Sequence, residues 1–134
     1  MPEQKQSNGL SNLSIKTASG TYQFKVELAL DERSQAQGLM FRRTMPADHG
    51  MLFIYDPERP ISMWMKNTIL SLDMLFVKRD GTIAKIFERT EPFSERVLSS
   101  DQPVYGVLEL NAGSVERWGI KSGDQMIHSL LQAQ

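Results

Sequence analysis

Cysteine is absent from this sequence, and histidine occurs only at His49 and His128. The first absence removes disulfides, thiolate nucleophiles and thiolate metal sites, and the second leaves little imidazole chemistry. No run approaches the ~20 apolar residues that a membrane-spanning helix needs, and the opening residues 1–11 hold no apolar core of a signal peptide. The expectation is a soluble chain without a transmembrane segment. An excess of charge of one sign is also missing: 15 Lys and Arg stand against 16 Asp and Glu. So balanced a chain has no large field to draw in nucleic acid or an anionic membrane, and no nucleic-acid partner is expected. HxH and HExxH spacings, GxGxxG, the P-loop and GxSxG do not occur. Neither a metal nor a cofactor is therefore expected, and nucleotide-binding and α/β-hydrolase readings have no anchor.

What is present suits one domain, since 134 residues can bury a sizeable core. Residues 1–12 read as a polar leader, either disordered or left after removal of a targeting segment; residues 13–130 as one globular domain; residues 131–134 as a short tail. Alternation of Leu13, Ile15, Thr17 and then Tyr22, Phe24, Val26, Leu28 around Ser19-Gly20 predicts a hairpin. Asp31 is placed to cap a short helix that Gly38 ends, and residues 42–50 read as an ordered loop. The apolar run 51–55 predicts a buried central strand stopped by Asp56-Pro57. Further strands are expected over residues 61–65, 72–78, 82–87, 104–110 and 125–130, with Asp80-Gly81 as a hairpin turn and Ser114 capping one helical turn. About eight short strands with one or two short helices predict a mainly β fold, a small rolled or barrel-like sheet, because a flat sheet of that kind exposes its edges. An α+β sandwich is the alternative.

The densest chemistry lies in residues 62–74, where Trp64, Lys66, Asn67 and Asp73 crowd together. Lys66 offers three donors, Asn67 both donors and acceptors, and Asp73 an acceptor able to serve as a general base. Their plainer roles are a capped turn at Asn67-Thr68 and an ion pair at Asp73. Arg33, Arg42 and Arg43 flank residues 38–40, and an arginine fork suits bidentate capture of a carboxylate or phosphate as well as a plain surface ion pair. Glu109 is set among Val107, Leu108 and Leu110, and strand alternation is expected to point it outward with Val107. The internal methionines, Met40, Met45, Met51, Met63, Met65, Met74 and Met126, read as core packing rather than soft-metal ligands.

Six segments in this order and spacing, residues 38–42, 50–53, 64–68, 72–74, 107–110 and 119–124, closely resemble the bacterial and archaeal domain-of-unknown-function family numbered 192. The resemblance covers nearly all of residues 13–127. It implies a small, mainly β domain, often exported in its relatives, and hence an extracytoplasmic or periplasmic mature form. It implies no catalytic residues and no substrate.

The leading functional expectation is a ligand-binding or accessory module that recognises a small polar ligand, anionic or sugar-like, through Trp64, Lys66, Asn67, Asp73 and Arg42. A small hydrolase or lyase with Asp73 as base, and Lys66 or Arg42 to stabilise developing charge, is the second. A structural module that displays an apolar docking surface is the third.

Overall fold

The computed structural model describes residues 9–132. Most of the expected leader, residues 1–8, and residues 133–134 of the expected tail lie outside the described residues. The folded body starts earlier than residue 13, because Leu10 and Ser11 are already buried. Leu131 is buried too, and bridges back to His128.

The elements are β1 (Ser11–Thr17), β2 (Gly20–Ala29), α1 (Glu32–Gln37), β3 (His49–Arg59), β4 (Ser62–Met63), β5 (Leu72–Val77), β6 (Ile83–Phe87), β7 (Leu98–Ser99), β8 (Val104–Asn111), α2 (Ser114–Trp118) and β9 (Gln125–Ile127). Seven strands form one sheet in the order β6-β5-β8-β3-β2-β1-β9, and β4 with β7 forms a separate pair. The long sheet curls into a half-barrel, as the mainly β, rolled reading predicts. Its two ends are tied together: the Ile83 N–H donates to Asp124 O at 2.9 Å, and the Met126 N–H donates to Gly81 O at 2.7 Å. Part of each sheet edge is thereby covered rather than left open to a stray strand.

Local chemistry explains the elements that connect neighbours in sequence. The β1–β2 hairpin turns where expected, with Thr17 Oγ1 accepting from the Ser19 N–H at 3.1 Å and donating to Gly20 O at 3.1 Å. Asp31 Oδ1 accepts the Ser34 N–H at 2.8 Å, which caps α1, and Gly38 closes it at a φ of 49°. Because α1 and its loop form a crossover, β2 and β3 run parallel, whereas a two-residue turn would have made them antiparallel.

Four expectations are corrected. β3 does not stop at Asp56-Pro57: it continues to Arg59 across an irregularity between Ile54 and Arg59, as befits a proline that has no N–H for the ladder. The strand expected over 61–65 shortens to Ser62–Met63, since the Met65 N–H turns away to Ser94 O. The last strand ends at Ile127, where His128 Nδ1 accepts the Leu130 N–H at 3.0 Å and bends the chain. Ser114 does not cap α2: Gly113 holds the cap position at a φ of 93°, and the Ser114 hydroxyl donates to Asn111 O at 2.7 Å.

Both faces of the curled sheet carry packed apolar side chains. Leu13, Ile15, Phe24, Val26, Leu75 and Leu108 fill the concave core. Met51, Phe53, Met74, Phe76 and Val107 line the opposite face, where Leu39, Ile61 and Met65 close over them. A strand buried on both faces reads as a continuous apolar run, which is the character of β5 and β8. Gly50 of β3 lets β8 come close, for a Cβ there would meet Glu109 O at 2.5 Å.

Candidate functional site

The second face is not covered throughout. A solvent-open cavity of about 210 Å³ remains between α1 with its exit turn, residues 35–40, the β3 side chains Phe53 and Tyr55, and the segment that runs from Ser62 to Thr68. Phe53 and Tyr55 project from the same face of β3, two residues apart, and their rings stack at 6.5 Å with planes 6° apart. Trp64 and Lys66 stand on the rim, with Lys66 Nζ 5.2 Å from the centre of the indole ring. Gln35 ties α1 down over the cavity, donating from Nε2 to Ala29 O at 3.1 Å and Ile54 O at 2.7 Å.

Glu109 of β8 lines this cavity with 4% of its surface exposed. Its directly opposed neighbours are Met51 on β3 and Met74 on β5, so the strands beside it offer no charge. The carboxyl makes no hydrogen bond or ion pair with any described residue, and burial pushes it up from the ordinary 4.5 to about 8. The Tyr55 hydroxyl is raised by its own burial, and secondarily by the Glu109 carboxyl; it stays neutral and donates to Met63 Sδ at 3.7 Å. Glu109 does share a face with Val107 as the alternation implied, but that face is covered rather than open to solvent.

Of the five residues singled out by sequence, Trp64 and Lys66 line the cavity and the other three do not. Asp73 is fully buried and spends its carboxylate on three backbone N–H groups: Arg89 at 2.8 Å, Gly113 at 3.1 Å and Val115 at 2.9 Å. It thus caps α2 from a distant strand and orders residue 89, a full set of acceptor duties for one carboxylate. Asn67 sits at a φ of 56°, a conformation that asparagine tolerates, and its carbonyl accepts the Phe41 N–H at 2.9 Å. Phe41 and Phe93, both exposed and both at positive φ, flank this segment, the second through its N–H to Thr68 O at 3.1 Å.

Arg42 makes a bidentate pair with Glu27, Nη2 to Oε1 at 2.8 Å and Nη1 to Oε2. That hydrogen-bonded guanidinium holds the Glu27 carboxyl below its usual value despite partial burial. Each side chain is 38% exposed, so solvent screens the pair. Arg42→Ala is expected to cost less than about 1 kcal/mol in denaturant unfolding and to leave any ligand affinity intact. A larger loss would show that the fork holds more than Glu27.

Glu109, Tyr55 and Phe53 were missed as site residues. The apolar run around Glu109 carried the clue, because a strand without polar alternation has no solvent face to which an acid can turn.

Fold and cavity together define a class, a small curled β half-barrel with a cavity of about 210 Å³ beside α1 and β3. The chain belongs to the family DUF192, described as an "Uncharacterized ACR", which matches residues 14–128. No curated protein matches it significantly. A crystal structure of a "putative transcription regulator" from Sinorhizobium meliloti 1021 is 48% identical, with a TM-score of 0.89 over 97% of this chain and 100% of that one. A protein of unknown function from Novosphingobium aromaticivorans DSM 12444 is 32% identical, with a TM-score of 0.87 over 95% of this chain and 93% of that one.

Proposed function

We propose that the protein is a small-ligand-binding module whose site is the cavity between α1, β3 and the segment from Ser62 to Thr68. The observation that carries this reading is Glu109, a buried carboxyl without a partner among the described residues that lines a solvent-open cavity with aromatic rings in its walls. Buried polar groups in folded proteins are nearly always satisfied, and a carboxyl left over beside an open cavity is an attachment point awaiting its complement. The ligand is small, because about 210 Å³ falls below the usual range for drug-sized molecules. An anionic ligand loses support, since it would set a second negative charge against Glu109 whenever that carboxyl ionises.

Catalysis at Asp73 also loses support, because that carboxylate is occupied by backbone donors and lines none of the cavity. The name of the Sinorhizobium relative brings little weight to a DNA-binding reading here. A net charge of −1 supplies no attraction for phosphates, and helices of six and five residues are short for a major groove.

A broad screen of small polar compounds against wild type tests the proposal, read by tryptophan fluorescence and melting temperature. Saturable changes are expected in wild type, with the fluorescence part lost in Trp64→Phe, which separates Trp64 from Trp118. No response from any compound in either signal would remove the proposal's support.

A further inference from the structure

Resting on the reading of this cavity as a ligand site, we infer that its ligand is a small organic cation, an amine or guanidine. Its charged head pairs with the Glu109 carboxylate and its apolar body lies against Phe53, Tyr55 and Trp64.

The polar side chains around the cavity narrow the choice. Gln35 is committed to two backbone carbonyls, the Tyr55 hydroxyl to Met63 and the Thr68 hydroxyl to Lys66 O, so these walls hold few free partners for a polyol. A sugar would bury hydroxyls without complements, at a cost for each one. The other polar side chains of the lining, Gln37, Ser62 and Lys66, are exposed to solvent, so a ligand with one polar head and an apolar body meets in Glu109 the one buried polar side chain there that has no hydrogen bond among the described residues. Such a head is cationic rather than neutral because only a positive charge compensates Glu109 once its proton has left, and the faces of the aromatic rings attract cations as well.

Three of the protein's cations have partners of their own. Arg42 is clamped to Glu27, Arg59 lies 5.4 Å over the Tyr55 ring, and Lys66 is exposed over the Trp64 ring. The charged and titratable groups that share the cavity with Glu109 are Tyr55 from β3 and Lys66 from the rim. The α1 residues that line it, Gln35, Ala36 and Gln37, bring no charge, nor do Met51 and Met74 across the strands.

The balance of the binding step follows. The free site holds Glu109 protonated near neutral pH, as its raised value requires. Binding of an ammonium ion forms a carboxylate-ammonium pair and releases the carboxyl proton to buffer. Affinity therefore rises with pH until Glu109 ionises unaided.

Calorimetry with benzylammonium, benzyl alcohol and benzoate on the intact chain tests this, in two buffers of different ionisation enthalpy. Benzylammonium is expected to bind at least about tenfold more tightly than the alcohol at neutral pH, with close to one proton released per ligand, and about fivefold more tightly again one pH unit higher. Benzoate is expected to give no binding heat. Glu109→Gln keeps the shape of the wall, and is expected to keep binding the alcohol while losing the preference for the amine. If the alcohol or benzoate binds as tightly as the amine, or the amine binds without proton release, the cationic assignment is overturned while the cavity survives as a ligand site. If none of the three binds, the cationic assignment falls; if the broad screen is silent as well, the cavity reading falls with it.

Discussion

From about pH 5 to about pH 9, wild type is expected to lose on the order of 4 kcal/mol of folding stability that Glu109→Gln does not lose. Glu109 is 4% exposed, without a partner among the described residues, and pushed up from 4.5 to about 8 by burial. The folded chain therefore holds the proton more tightly than the unfolded chain does. Its contribution is fully present below the unfolded value of 4.5 and is lost as the pH climbs to about 8, above which the folded carboxyl ionises as well. A shift of that size corresponds to on the order of 4 kcal/mol. Glutamine has nearly the same volume and no charge, so the difference between the two unfolding curves isolates this one group from every other titrating group. Parallel curves would mean that Glu109 has an ordinary carboxylate value and a partner. A saturating cation should shrink the loss in wild type, since it stabilises the ionised form.

Asp73→Ala is expected to be the most damaging of the substitutions considered, on the order of 4 kcal/mol, with the denaturant midpoint falling and the m-value unchanged. The carboxylate accepts from Arg89, Gly113 and Val115 and so joins the segment after β6 to the start of α2, which the exposed Arg89–Glu116 ion pair also links. Alanine strands three N–H groups and removes a charge from the start of α2, a helix without a side-chain cap of its own. Asp73→Asn is expected to fall between alanine and wild type, because one amide oxygen can still accept while the NH₂ opposes the remaining donors. In neither variant should the cavity lose its ligand at temperatures where the chain stays folded. A change in affinity without a change in stability would return Asp73 to the site.

The parts of the fold that sequence reveals are those decided within a few residues. The β1–β2 turn, the Asp31 cap and the Asp80-Gly81 turn rest on a hydroxyl, a short carboxylate and a glycine that act on their own neighbours. Contacts made at a distance leave weaker traces. The parallel pairing of β2 with β3 depends on where α1 lies, and the cap on α2 comes from a residue forty positions earlier than Gly113. Asp73 drew attention as a polar residue in apolar surroundings, which it is, but the same pattern belongs to a carboxylate that satisfies backbone. Asn67 looked like equipment for a ligand and is explained by a φ of 56°. Trp64 and Lys66, singled out in sequence as ligand-binding candidates at the end of a short strand, stand in the cavity lining. Glu109 was set aside because one solvent face was assumed for β8, whereas the segment from Ser62 to Thr68 and α1 roof that face over.

The state of the Glu109 carboxyl is the point on which the ligand site rests, and its side-chain carbon can be followed directly by carbon-13 NMR titration of the ligand-free protein, assigned by comparison with Glu109→Gln. The predicted midpoint is about 8. A midpoint near the ordinary 4.5 would show a carboxyl already satisfied within the protein or by solvent, and would contradict the account of this cavity as a site waiting for its ligand.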